Sequence, residues 1–412
     1  MIHLGIYTTN NCNRLRIIDS VIENSLLPKT IDTADKTGAL LSSITIEKII
    51  DEEFRHDRFP VTSTENTSLE SMSSGQQKMA LATYLFNQKP DYIILDDIHS
   101  NIDPQSLQSL IDMIEKQSGE ITFIQLFYRK KDLLTFIDKV VCIDENLSVD
   151  KILPSDEFLK TTVDTAESFT IPFPRILNET LYFDPVIELH AVTTAYGNKA
   201  VLDSVDWTVR AGEFWQLKGP IGSGKSTLLS MIIGDNPKAY GQNMLLFGMK
   251  KGTGESIWDI KKHIGYFYPK MTQLFNHRDT VENMIISGFV DSIGLYVKPG
   301  DWQRFVAREW MKVLGSSYAG KQFQMLSPGQ QRIVLVVRAI VKQPPLLILD
   351  EPTAGLDDLN ARLFVDLINA IAREKKVAII YVSHRNEENL QPDNILELIP
   401  SPDGSKAKII KK

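Results

Sequence analysis

Two periods of hydrophobic and polar residues alternate along this chain. In the first third, Gln76–Asn87 places Met79, Ala80, Leu81, Leu85 and Phe86 on one face, as an amphipathic helix does. Tyr92–Leu95 is a short apolar run entered from Lys89-Pro90 and reads as a buried strand. Leu107–Lys116 returns to the helical period, and Ile121–Phe127 and Val140–Ile143 read as strands. From Leu147 to about Pro185 the chain is richer in Pro, Thr and Asp, the pattern of a linker with a short local element. The alternating stretch Ile187–Val192 then opens a second domain. Within it, Glu213–Leu217, Leu346–Asp350 and Ala378–Ser383 read as strands, and Leu228, Leu229, Met231, Ile232 and Ile233 as an apolar helix face. Strands alternating with helices predict an α/β fold with a parallel layer in each half.

The halves repeat each other. Ser73-Ser-Gly-Gln-Gln77 matches Ser327-Pro-Gly-Gln-Gln331, and Tyr92-Ile-Ile-Leu-Asp96 matches Leu346-Leu-Ile-Leu-Asp350. Both pairs share one offset, since 329 − 75 and 350 − 96 each give 254. Two motifs at one offset predict an internal duplication. Extended towards the amino end, Leu4–Tyr7 lies over Ile264–Phe267, with Asp19 and Val21 falling on Asp279 and Val281. On that register the first copy lacks the part that precedes Ile264 in the second. The expected organisation is an incomplete domain over 1–150, a linker over 151–185 and a complete domain over 186–412.

Composition narrows the setting. The chain has 412 residues, 43% hydrophobic and 24% charged, with net charge −7. No global basic field draws it to nucleic acid or anionic lipid, so no direct nucleic-acid binding is expected. Two cysteines, Cys12 and Cys142, give neither metal spacing nor a disulfide framework, which suits a cytoplasmic setting. The amino end is polar by position 8, and Ile333–Leu349 is interrupted by Arg338, Lys342 and Pro344-Pro345. Any membrane role is therefore expected through a partner, at the inner face.

The chemistry centres on Gly219-Pro220-Ile221-Gly222-Ser223-Gly224-Lys225-Ser226-Thr227, which fits G-x-x-x-x-G-K-[ST]. Its glycines allow turn conformations closed to residues with a Cβ, so that successive N–H groups converge as an anion nest at a helix start. Lys225 is expected to reach the β- and γ-phosphates, and Ser226 to ligate Mg²⁺. Asp350, at the end of an apolar strand, would hold Mg²⁺ beside the phosphates, and Glu351 would polarise the attacking water. His384 ends a further strand at the same edge and would meet the γ-phosphate or the water. Tyr196 precedes Lys225 by 29 residues (225 − 196) and would stack on a base.

This set resembles the ATP-binding-cassette (ABC) ATPases over about residues 186–400. The resemblance is carried by Gly219–Thr227, Leu326-Ser-Pro-Gly-Gln330, Leu346–Asp350 with Glu351, Ala354-Gly-Leu-Asp357 and His384. It implies two tandem phosphate-loop domains, Mg²⁺-dependent ATP hydrolysis and a head-to-tail sandwich in which the signature of one cassette meets the γ-phosphate bound by another. The signature positions are Ser73, Gly75 and Gln76 in the first half and Ser327, Gly329 and Gln330 in the second. Ile285–Tyr296, with the tandem layout, is similar to the duplicated cassettes of the ModF/PhrA kind.

Several positions depart from the pattern. Asp97 stands over Glu351, and Tyr128 over His384, so the first copy is expected not to hydrolyse ATP. The glutamine expected after Ile264-Gly-Tyr266 falls near Pro269 or Lys270, which argues against coupling to a membrane subunit. Pro328 removes one backbone donor from the second signature. The expected function is an ATPase with one composite site, either within the chain or between two chains, possible partners being a permease subunit or another protein. The alternative is a nucleotide-gated regulator whose closure a partner reads.

Overall fold

The computed structural model describes residues 1–10, 12–26, 33, 35–56, 59–62, 68–100, 102–161, 182–275, 279–315, 318–383 and 387–411. It divides into two compact units, Met1–Thr165 with Ala354–Leu359, and Ala166–Thr353 with Asn360–Lys412.

The first unit is built on six strands: β1 (Leu4–Tyr7), β2 (Gly38–Leu41), β3 (Tyr92–Asp96), β4 (Thr122–Phe127), β5 (Lys139–Ile143) and β6 (Val149–Pro154). Their order is β2-β3-β4-β1-β5-β6, parallel except for the β5–β6 pair. Successive side chains of β3 and β4 serve opposite faces, as a strand's two-residue period requires. Ile93, Leu95, Phe123 and Phe127 pack into one core with Leu81, Leu110 and Ile114. Tyr92, Ile94, Ile124 and Leu126 pack into the other with Ile17, Ile18 and Val21. Each such fully buried aliphatic side chain contributes about 1.5–3 kcal/mol. Of the segment expected as a linker, residues up to Pro154 complete β6 and Ser155–Lys160 is a helix, both in the first unit. Residues 162–181 lie outside the described residues.

The second unit has two sheets. A four-stranded antiparallel sheet joins β7 (Ile187–Tyr196), β8 (Lys199–Val209), β10 (Asn243–Leu246) and β11 (Met249–Lys250) in the order β11-β10-β7-β8. The larger sheet holds β9 (Phe214–Lys218), β12 (Ile264–Phe267), β13 (Leu346–Asp350), β14 (Ala378–Val382), β15 (Asn394–Ile399) and β16 (Lys406–Lys411), in the order β12-β13-β14-β9-β15-β16. One core runs from the antiparallel sheet through the helix Lys225–Ile233 to Leu346, Ile348, Ile380 and Leu396.

Laid side by side, the two six-stranded sheets have one topology and one register. Asp96 pairs with Leu126 as Asp350 pairs with Val382. Leu126 pairs with Ile6, and Val382 with Leu217. Leu41 pairs with Leu95, and Phe267 with Leu349. These pairings correct the sequence register. Leu4–Tyr7 occupies the place of Phe214–Lys218, not that of Ile264–Phe267, whose counterpart is Gly38–Leu41. The missing part shortens with it, while the first copy stays without the glycines of the loop. The first sheet has the strand, the connection and the helix that form the phosphate loop in the second, as Leu4–Tyr7, Thr8–Asn13 and Arg14–Ile22. The antiparallel sheet is the part without a counterpart among the first unit's described residues.

Candidate nucleotide-binding site

The sequence around Gly219 folds as its residue types require. β9 is buried between β14 and β15, so its end delivers the loop to the sheet's carboxyl edge. Gly219, Gly222 and Gly224 have φ of +151°, +80° and +88°. A Cβ on Gly219 would lie 2.5 Å from Ser223 Oγ and 2.8 Å from the Leu398 carbonyl oxygen, so only glycine fits there. The helix Lys225–Ile233 starts directly after Gly224 without a side-chain cap, so its first N–H groups point to the loop with no capping oxygen in front of them. The Ser223 side chain is fully buried, and among the described residues its Oγ has no hydrogen-bond partner. Converging donors, a glycine cradle and an orphaned hydroxyl together fit a bound phosphate.

Lys225 is the cation of this loop. Its Nζ donates to the carbonyls of Gly219 (2.7 Å) and Pro220 (2.9 Å), folding the side chain back over the loop. Burial lowers its pKa to about 8, against the opposing pull of Glu351 and Asp350. The strand-end acids therefore lie close enough to act on it electrostatically. Ser226, next along, is exposed, as are Pro220, Ile221 and Gly222, while Thr227 is half-buried and its carbonyl accepts from the Ser230 hydroxyl at 2.8 Å. Asp350 and Glu351 are both half-buried. Glu351 has φ +47° and its N–H donates to the Val382 carbonyl at 3.0 Å, which turns its side chain off the strand line at the sheet edge.

Tyr196 stands at the end of β7, 47% exposed. Its hydroxyl accepts from Asn236 Nδ2 at 2.8 Å, and Lys238 Nζ lies 5.8 Å from the ring centroid. The ring is anchored at its hydroxyl and leaves surface for stacking. His384 lies outside the described residues. Tyr268-Pro269-Lys270 follows β12 where a glutamine was expected, and Gln273 is exposed on the short helix Met271–Leu274.

Both signatures have the same local build. Ser73 and Ser327 are N-caps, each accepting at 3.3 Å from the N–H of Gln76 or Gln330, whose side chains bond back to the serine N–H. Ser73 and Gln76 are exposed; Ser327 and Gln330 are half-buried. Gly75 and Gly329 are buried because a Cβ would strike Ser106 (2.8 Å) and Asn360 (2.3 Å) respectively. Gln77 Nε2 bonds the Leu69 carbonyl as Gln331 Nε2 bonds that of Phe323. Pro328 takes the first helical position, where a missing N–H is tolerated. In the stretch Ile285–Tyr296, Ser287 Oγ and the Ser292 carbonyl each accept from the buried Arg338 at 2.9 Å, so part of that motif is packing.

Arg14 was missed in the sequence. The signal for it was weak, an arginine opening a helix after an apolar strand with none of the glycines of a phosphate loop between. In the first sheet it stands where Lys225 stands in the second, 211 residues on (225 − 14), and its Nε bonds Asp96 Oδ1 at 2.5 Å.

The comparisons with known proteins agree with this geometry. The ABC transporter family model matches residues 202–354. The chain is 34% identical over 345 residues to the ABC transporter ATP-binding protein ModF of Escherichia coli, covering 80% of this chain and 70% of that protein. It is 28% identical to an uncharacterised ABC transporter ATP-binding protein of Schizosaccharomyces pombe, covering 78% of this chain and 66% of the relative. A model of ribosome-bound archaeal Pelota and ABCE1 shares the fold over 100% of this chain and 75% of that one, with a TM-score of 0.64 at 16% identity. No described helix is long and apolar enough to cross a membrane. With its glycine loop, its two equivalent sheets and a relative matched over most of both chains, this chain belongs to the ABC ATPases, a family that binds and hydrolyses ATP, and is related to ModF.

Proposed function

We propose that the chain is a Mg²⁺-dependent ATP hydrolase with one working nucleotide site, built on the second unit. The observation that carries this is the loop itself: three glycines at positive φ, set between a buried strand and a helix whose first residue is the buried Lys225. The loop N–H groups from Gly219 to Thr227 would hold the phosphates, and Lys225 would exchange its two loop carbonyls for phosphate oxygens. Tyr196 would stack on the base. Ser226 and Asp350 would hold Mg²⁺, which when bound neutralises charge on the phosphates. Glu351 would orient and deprotonate the attacking water, with His384 beside it. A signature would close the site, either Ser73 and Gly75 of the same chain or Ser327 and Gly329 of a second one. The cytoplasmic face of a membrane, reached through a permease subunit, is the setting this reading implies.

A second reading is supported by Tyr268-Pro269-Lys270 at the place of the expected glutamine. It makes the chain a nucleotide-gated regulator, in which closure is read by a partner and no substrate is transported. Co-sedimentation of the chain with membranes carrying a permease, and with ribosomes as a control, separates the two.

The test of the main reading is steady-state ATP hydrolysis by the full chain beside Lys225→Ala. Turnover is expected to fall by at least about 10²-fold, as when a principal transition-state contact is removed. Equal turnover in the two proteins would overturn the assignment.

A further inference from the structure

We propose that Arg14 is a resident cation: in the first unit it takes the place of the phosphate-loop lysine and holds Asp96 where a divalent ion would otherwise be required, so that this unit takes no Mg-nucleotide. The proposal rests on the reading of Lys225 and Asp350 as the nucleotide site of the second unit.

The strand register makes Arg14 and Lys225 equivalent. Each is the first residue of a nine-residue helix, Arg14–Ile22 or Lys225–Ile233, and each follows a six-residue connection from the equivalent strand. The two connections differ in the property that matters for phosphate. Gly219–Gly224 carries three left-handed glycines, whereas in Thr8–Asn13 no described residue has positive φ. Described N–H groups of this connection are used within the fold: Thr8 N–H donates to the Phe127 carbonyl and Cys12 N–H to that of Thr9, while Asn13 caps the helix with its own side chain. Leu15, 54% exposed, stands in the place of Ser226 and offers no metal ligand.

The two cations are also used differently. Among the described residues Lys225 donates to two carbonyls of its own loop, a retracted position that a phosphate can reverse. Arg14 crosses to the strand-end carboxylate, with Nε 2.5 Å from Asp96 Oδ1 and Nη2 3.8 Å from Asp97 Oδ2. The Asp96 side chain is fully buried, and Tyr128 lies against the guanidinium, whose carbon is 5.9 Å from the ring centroid. Lys78, a further cation that acts on Asp96, donates from its ammonium to the carbonyls of Asp97, Ile98 and Ser100. Among the described residues Asp96 Oδ2 and Arg14 Nη2 have no hydrogen-bond partner. The buried carboxylate thus has one oxygen committed to Arg14 and one left over, the position of a metal ligand whose metal has been replaced by a side chain. A buried anion without its cation is strongly destabilising, so removing Arg14 creates a demand that a divalent ion can meet.

The experiment uses the full chain carrying Asp350→Asn, so that the second unit's acid does not report. Thermal unfolding is followed with and without millimolar Mn²⁺ and no nucleotide. This chain is expected to show no Mn²⁺ response. Adding Arg14→Ala lowers the first-unit transition by about 5 °C or more. Mn²⁺ then recovers part of the loss, and Asp96→Asn abolishes that recovery. An Arg14→Ala chain that unfolds unchanged, that ignores Mn²⁺, or whose Mn²⁺ response survives Asp96→Asn overturns the proposal. Should Arg14→Ala not fold, nucleotide stoichiometry of the unchanged chain decides: one Mg-nucleotide per chain at saturation is expected, and two per chain overturn the proposal. Neither measurement uses turnover, so a chain that fails to hydrolyse ATP sinks the enzymatic reading while leaving these outcomes interpretable.

Discussion

Asp97 and Glu351 share one backbone conformation, with φ of +49° and +47°. Each follows a strand-end aspartate, and each donates its N–H to the neighbouring strand, Asp97 to the Leu126 carbonyl (3.4 Å) and Glu351 to that of Val382 (3.0 Å). A left-handed residue with a Cβ costs about 1–3 kcal/mol and persists where its surroundings fix it. Both units keep this strain, and the second carries at it a side chain one methylene longer.

The strain at Glu351 leads to a first prediction. The turn is a backbone feature and glutamine keeps the side chain's length, so Glu351→Gln removes the proposed base and leaves the shape. Turnover is expected to fall about 10²–10⁴-fold, the usual worth of a general base. Binding should survive, so labelled ATP stays on the chain unhydrolysed after rapid gel filtration. Turnover equal to that of the parent would remove Glu351 from the mechanism.

The signatures lead to a second. Ser73 and Ser327 each spend an acceptor lone pair on the capping box, and among the described residues neither hydroxyl donates a hydrogen bond. Loss of one cap costs about 1 kcal/mol of stability and does not unfold a unit. Ser73→Ala should lower turnover if the site closes within one chain, and Ser327→Ala if two chains close it through their second halves. Steady-state hydrolysis of both variants, with mass photometry for the oligomeric state, identifies the arrangement. Full activity in both variants would leave neither serine at the γ-phosphate.

Much of this was legible in the sequence. The glycine loop, the strand ending in Asp350 and the single 254-residue offset are local patterns, and local patterns survive in one dimension. Sheet order does not. Leu4-Gly-Ile-Tyr7 looks more like Ile264-Gly-Tyr-Phe267 than like its true counterpart Phe214-Trp-Gln-Leu-Lys218, because any short buried strand is a run of apolar residues and carries no mark of its neighbours. The connection Thr8–Asn13 was equally hidden. Its equivalence in position to Gly219–Gly224 lies in where β1 sits between β4 and β5, a tertiary fact. Arg14 became meaningful only with Asp96 beside it.

Gly219 supports a third prediction, and its failure mode is specific. At φ +151° an alanine is strained, and its Cβ would press on Ser223 Oγ and on the Leu398 carbonyl. The contact to Leu398 is with backbone and cannot rotate away, so the loop must shift. Gly219→Ala is expected to cost about 1–3 kcal/mol in stability and to weaken nucleotide affinity beyond that, because the N–H groups no longer converge. Fluorescent-nucleotide titration, with denaturant unfolding alongside, separates the two effects. Unaltered affinity would mean that the loop is not the phosphate site.

Lys78 supports the last. It lies 254 residues before Arg332, which bonds the Pro352 carbonyl from the equivalent helix position. Lys78 is 5% exposed, and its ammonium donates to the carbonyls of Asp97 (3.2 Å), Ile98 (3.0 Å) and Ser100 (2.6 Å). It therefore ties the helix Ser74–Asn87, capped by Ser73, to the turn that follows β3. Lys78→Met keeps much of the volume and removes every donor, leaving the buried Ile98 carbonyl and the half-buried carbonyls of Asp97 and Ser100 without this partner, at up to about 1–3 kcal/mol for a fully buried one. A loss of roughly 3 kcal/mol in the first unit's unfolding transition is expected, with Lys78→Arg recovering most of it. If the signature of the first unit closes the site, turnover falls with Lys78→Met even under conditions where the chain remains folded, because the turn and the Ser73 helix are no longer joined. A stable, fully active Lys78→Met chain would show that this tie serves neither purpose.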